Sequence, residues 1–228
     1  MPNWILNTVG ALALVALPNA GSAGTAPTIF APENVPALRQ QAQAVAATAV
    51  SVEDARKIAL VIVDDASRRP DGTLEQIEAD QSLVMDLAKQ TGNDPEIMAV
   101  HANLVGIEAG IEQDLIRVLT LAKASSRALD KLVRDNPDNG GVLMQRGLNA
   151  LHAPKIAGRI QIAIDDFETL STGEFHLTDE LNAQVQLLLA QSLIKAERTQ
   201  DAQPLLASVA EADVPQWSDA ARSILAGL

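Results

Sequence analysis

Cysteine is absent from the chain, which excludes a disulfide framework, a thiolate metal site and the lipobox of a lipid anchor. A chain of 228 residues can bury an ample core without covalent staples, so lacking them does not oppose an oxidising compartment. Aromatic residues are scarce at 2%, and no period-two alternation of β-branched and aromatic residues occurs, which argues against a β-sheet protein. Positive charge is also short. Lys and Arg number 17 against 29 Asp and Glu, for a net charge of −12. Nucleic acid demands a basic face and an anionic membrane surface attracts one, so neither is an expected partner. The acidity fits a soluble exported protein, or one with basic partners. Long apolar runs are missing too: the run over residues 9–17 falls short of the roughly 20 residues that span a bilayer.

What the chain does have is alanine, leucine, isoleucine and valine at spacings of three and four, the repeat at which helical side chains share a stripe. Small residues and aliphatic ridges pack helix on helix. The expected fold class is all-α.

Residues 1–23, MPNWILNTVGALALVALPNAGSA, have the form of a secretory signal peptide. Pro18 breaks the apolar helix, and Gly21-Ser22-Ala23 supplies the small residues of a cleavage site, although no Lys or Arg precedes the run. The expectation is export to the periplasm or beyond with cleavage after Ala23, and no stable membrane insertion afterwards. Residues 24–34 read as an extended linker, with Pro27 and Pro32 inside it, and residues 35–228 as a single helical-repeat domain. A first helix is expected over 35–49. Ser51 with Asp54 caps a second over 52–67, and Thr73 with Gln76 a third over 74–91. Asp94-Pro95 opens a fourth, and a long pattern over 113–134 stops at Asn136-Pro137-Asp138-Asn139-Gly140. Thr178 caps a helix to about 197, followed by partners over 200–212 and 216–226, which makes about ten helices in antiparallel pairs.

The organising stretch is 140–170, GGVLMQRGLNALHAPKIAGRIQIAIDDFETL. Leu143, Gly147 and Ala150 share one helical face, and Ala163, Phe167 and Leu170 share another, with the chain turning at His152-Ala153-Pro154. Glycine inside a helix costs about 1 kcal/mol relative to alanine, so Gly147 implies a close approach of the second helix, expected at Ala163. A second copy of the pattern has Leu189-Ala190, Leu193, Ala202, Leu206 and Val209; a weaker third has Met98, Ala102 and Val105.

This pattern resembles the tetratricopeptide-repeat family of helical hairpins over roughly residues 94–228, without the tryptophan and tyrosine of its strong examples and with about four extra residues between the helices of the first copy. The run NPDN…RG…P…GR…AI also resembles bacterial exported repeat proteins, which implies no activity. The resemblance implies stacked antiparallel hairpins in a superhelix whose first helices line a groove for a peptide or partner segment. Mapped onto matching positions, that groove comprises Asn103, Met144, Leu148, His152, Leu187 and Gln191.

Candidate chemistry is sparse. Asp64-Asp65 and Asp165-Asp166 are paired acids, but neighbours on a helix point about 100° apart, so neither pair chelates alone; each reads as exposed acid beside a core position. Residues 135–141 fail as a calcium loop because Pro137 occupies a ligand position and Arg146 stands where the closing glutamate belongs. His101, His152 and His176 belong to no metal motif; His101 falls on a packing face and His152 ends a helix, where a cationic ring suits the dipole. No nucleophile elbow, P-loop or dinucleotide glycine pattern occurs. Neither catalysis, a cofactor nor a metal is expected. Arg146 and Arg159, with Asp165, flank the helix crossing. Arg159 is expected to pin the inter-helix turn through carbonyls of the first helix, or the two arginines to form an anion clamp. The function this supports is an exported binding or scaffold module for a protein or peptide; the alternative is an accessory solute-binding subunit of an envelope transport system.

Overall fold

A computed structural model describes residues 25–27, 51–69 and 71–228. The expected helix over 35–49, the segment 1–23 and most of the linker lie outside these residues. Nine α-helices occur among them: α1 Val52–Arg68, α2 Leu74–Gln90, α3 Pro95–Ile111, α4 Leu115–Asp135, α5 Gly140–His152, α6 Ile160–Leu170, α7 Asp179–Lys195, α8 Thr199–Glu211 and α9 Pro215–Leu225. A single 3₁₀ turn, Lys155–Ala157, separates α5 from α6. The described residues hold no β-strand, only an isolated bridge between Thr25 and Asn139.

Local chemistry places the starts. Ser51 Oγ accepts the Asp54 N–H at 3.1 Å. Thr73 and Gln76 exchange the two bonds of a capping box at 3.3 and 3.0 Å. Asp94 accepts the N–H groups of Glu96 and Ile97, and Thr178 that of Leu181. Asp114 and Asn139 cap α4 and α5 in the same way. Each cap satisfies donors that the first helical turn leaves without a partner.

The described residues fall into two compact units, 51–136 and 25–27 with 137–228. In the first, α3 packs against α1, α2 and α4. Ala55, Ala59 and Ile62 of α1 meet Ile77, Val84 and Leu87 of α2 and Ile97, Val100 and Leu104 of α3 in one core. Arg56 on α1 donates to both carboxylate oxygens of Asp94, at 3.0 and 2.7 Å, and so clamps α1 to the start of α3. The amphipathic α4 buries only Ser125, Leu129 and Val133, with Ser125 Oγ donating to the Ala102 carbonyl at 2.7 Å, and its first turns leave Leu115, Ile116 and Leu119 exposed.

In the second unit each helix packs on the next, and α7 also touches both α5 and α9. The positions read as two copies of one pattern are all buried: Leu143, Gly147, Ala163, Phe167 and Leu170 in α5–α6, and Leu189, Ala190, Leu193, Ala202, Leu206 and Val209 in α7–α8. The close approach at Gly147 is real, but its neighbour is Phe167 rather than Ala163. A β-carbon on Gly147 would stand 2.7 Å from Phe167 Cε1 and 2.8 Å from Cζ, too close for any carbon contact. Phe167, one turn beyond Ala163, is fully buried.

Part of the expected linker is also docked. Thr25 N–H donates to the Asp138 carbonyl at 2.8 Å, and Gly140 N–H to the Thr25 carbonyl at 2.7 Å. Pro27 is buried, and a β-carbon on Gly140 would meet the Thr25 carbonyl oxygen at 2.6 Å and Pro27 Cδ at 2.8 Å. Glycine is what lets this segment lie against the start of α5.

Candidate functional site

Five of the six groove positions stand on two helices in contact: Met144, Leu148 and His152 on α5, Leu187 and Gln191 on α7. Met144 and Leu187 are buried, Leu148 and Gln191 half-buried, and His152 exposed. Asn103 lies on α3 in the first unit and is buried.

The paired acids divide their roles. In each pair one carboxylate is buried and holds an arginine, where the sequence reading had both exposed. Asp64 Oδ1 accepts from Arg68 Nε at 3.0 Å and Nη2 at 2.8 Å, a contact within one turn of α1. Burial outweighs this arginine and pushes the Asp64 carboxyl above the ordinary carboxylate range. Asp65 faces Arg69 at 3.2 Å, and Arg69 also reaches the buried Asp80. On α6 it is Asp166, not Asp165, that is buried, and Arg146 of α5 grips it with two parallel bonds at 2.9 and 2.6 Å. Asp165 is exposed and accepts from Gln161 at 2.7 Å. Arg146 thus ties the two helices of the hairpin together. Among the described residues no cluster of His, Asp and Glu is arranged to hold a metal ion.

The C-terminus of α5 is capped from a distance. Lys195, at the end of α7, donates to the Leu151 carbonyl and, at 2.7 Å, to the Ala153 carbonyl. These are acceptors that a helix end leaves unsatisfied, and a cation there also complements the helix dipole. Carbonyls at the end of α5, where the sequence reading looked to Arg159, are thus bonded by Lys195. The half-buried Lys195 ammonium is pulled below its ordinary pKa by desolvation. His152 keeps solvent-accessible surface. Surrounding chain nonetheless desolvates it and Lys195 repels a proton, so its pKa is lowered. His101 is half-buried and shifted the same way by desolvation alone.

Arg159 lines a cleft of about 370 Å³ between the turn that follows α5 and the turn that follows α7. Lys155, Lys195 and Arg198 line it with Arg159, and Glu197 is the one carboxylate among the lining residues. Lys155 pairs with Glu197, both side chains being 77% exposed, and Arg198 pairs with Asp201 at 2.8 Å. Ile160 and Pro154 give the cleft an apolar wall. Glu197 holds a left-handed backbone (φ 65°), a conformation in which helix ends usually place glycine. Sequence reasoning did not find Lys155, Lys195 and Arg198, because the first two lie 40 positions apart and no local pattern links them.

The sequence matches no model of a known protein family, and comparison with curated proteins gives no match.

Proposed function

We infer that this chain is an exported, tetratricopeptide-like helical-repeat module that binds a peptide or partner segment along the α5–α7 face. The observation that carries the reading is the packing order of the second unit. Each helix packs on the next, and α7 adds contacts to α5 and α9, the neighbour-but-one contact of a stacked hairpin array. The repeated small and large positions are buried in both hairpins, as the repeat pattern requires. On the face where the first helices meet, Leu148, His152 and Gln191 offer one apolar and two polar side chains to a partner. These features support the reading of a binding or scaffold module. Among the described residues no helix is long and apolar enough to cross a membrane.

Site-specific photo-crosslinking in an envelope extract tests the reading. A crosslinking residue at Leu148 or Gln191 should capture one discrete partner, while the same residue at the exposed Glu168 of α6 or Asp219 of α9 should not. Equal capture at all four positions, or at none, would sink it.

A further inference from the structure

The outer face of α4 combines exposed apolar side chains with a charge opposite to that of the chain. Arg117, Lys123, Arg127, Lys131 and Arg134 lie on this one helix against Asp130 and Asp135, in a protein of net charge −12. Helix α4 packs on α3 and buries Ser125, Leu129 and Val133. Arg127 stands two residues from both Ser125 and Leu129, about 200° round the helix, and so points away from α3. Ile116, Leu119, Lys123 and Arg127 follow one another at spacings of three and four and share that outward stripe. Its start is apolar: Leu115 is 70% exposed, Ile116 77% and Leu119 52%. Exposed hydrophobic residues scattered singly are ordinary, but three within two turns form a patch. Its middle is cationic, and Lys123 and Arg127 are exposed with no carboxylate paired to either among the described residues. Lys131 and Arg134 share Asp135, and Arg117 pairs with Glu108 and Glu112.

We propose that this face docks on an anionic lipid surface, with Leu115, Ile116 and Leu119 entering the boundary between headgroups and acyl chains and Lys123 and Arg127 meeting lipid phosphates. Apolar side chains beside Lys and Arg on one helix are the pattern by which a helix lies at such a surface without spanning it. An acidic protein is the other partner that this charge admits. A tight protein interface needs a complementary shape, however, and this face is the convex outer side of a single helix. A fluid lipid surface needs no such fit. The net charge of the chain does not oppose the contact. Screening confines electrostatic interaction to about 8–10 Å near physiological salt. The width of α4, about 10–12 Å with its side chains, stands between this face and α3, on which the acid-bearing α1 and α2 also pack. The lipid therefore meets the local cations and not the acids behind them. The face belongs to the first unit and does not rest on the reading of α5 and α7.

Flotation of the full chain with vesicles of phosphatidylcholine and phosphatidylglycerol in roughly equal parts, and with vesicles of phosphatidylcholine alone, tests the face. Binding to the mixed vesicles is expected, weakening as salt is added, with little binding to phosphatidylcholine alone. Ile116→Ser with Leu119→Ser should weaken it by about tenfold or more, because both side chains lose their burial in lipid. Lys123→Gln with Arg127→Gln should weaken it by about tenfold, through the loss of two cations at the surface. Lys89→Gln with Arg222→Gln removes the same charge from exposed sites on α2 and α9 and should leave binding unchanged. Should circular dichroism show the serine variant unfolded, the Lys123 and Arg127 variant carries the test, since both side chains are exposed and unpaired. Absence of binding by the parent overturns the proposal, as does equal binding to the two kinds of vesicle. Binding through the apolar run over 9–17 would survive in both α4 variants, and that outcome overturns it too. So does a photo-crosslinking residue at Leu119 that captures protein and no lipid in envelope membranes, which gives the face to an acidic protein partner.

Discussion

Gly147 illustrates how a single residue carries the hairpin. Helix propensity alone would reward Gly147→Ala with about 1 kcal/mol. The Phe167 ring, 2.7 Å from where the new carbon would stand, is fully buried and has little freedom to retreat. Gly147→Ala is therefore expected to fail to stabilise and to lose stability instead, and Gly147→Leu to lose about 1–3 kcal/mol or more by overpacking. Urea melts of both variants decide the matter, since stabilisation by alanine would place this helix face in open space. At Asp64 the measurable quantity is a pH dependence. Its carboxyl has an ordinary value of 3.8 and is raised in the native state by burial, against the pull of Arg68. The folded protein then binds the proton to higher pH than the unfolded chain, so this group's contribution to stability falls as pH rises from about 4 through its native pKa. Asp64→Asn removes that term. The stability of the variant relative to the parent should shift in the variant's favour between about pH 3.5 and pH 7, read from urea melts at each pH. A shift in the opposite direction would mean that Arg68, and not burial, dominates.

At the scale of the elements, starts and ends obey different rules. Side chains within three residues cap the starts of α1, α2, α3 and α7. The end of α5 depends on Lys195, more than 40 residues away from the carbonyls it bonds. Lys195→Met keeps most of the aliphatic stem and removes both bonds, and it should cost about 1–3 kcal/mol in urea unfolding. His152→Ala should cost much less if the cap is Lys195. Equal losses for the two variants would return the capping role to the imidazole. Arg146 is the matching device between the helix bodies. Its fork on Asp166 fixes the rotation of α6 against α5, whereas Asp165, one residue away, faces solvent.

For the whole molecule, the prediction is export. The apolar run over 9–17 followed by Gly21-Ser22-Ala23 should lead to cleavage after Ala23. Cleavage there leaves Gly24 as the new terminus, one residue before Thr25, which bonds Asp138 and Gly140. The intact mass of the protein recovered from the envelope fraction should correspond to residues 24–228, and a full-length product confined to the cytosol would contradict it. A mature chain without disulfides relies on its apolar core and on internal arginine–carboxylate bonds such as Arg56–Asp94 and Arg146–Asp166.

The sequence by itself determined the class of fold and, to within a few residues, where each described helix runs. Capping side chains, turn residues and apolar spacing act within three or four positions, and that information survives without tertiary contacts. It also determined which positions of the two hairpins are interior, from Leu143 and Phe167 to Ala202 and Val209. The tertiary structure decided everything that depends on how one helix is rotated against another. Neighbouring residues on a helix differ by about 100°, and the sequence did not settle whether Asp165 or Asp166 is the one buried against Arg146; Ala163 and Phe167 share one stripe a turn apart, and it did not settle which of them meets Gly147. Nor did it separate the buried Met144 and Leu187 of the expected groove from the accessible Leu148, His152 and Gln191. The basic cleft belongs wholly to the tertiary level. Lys155 and Lys195 carry no shared pattern along the chain, and only the packing of α6 and α7 brings the two turns that bear them around one space.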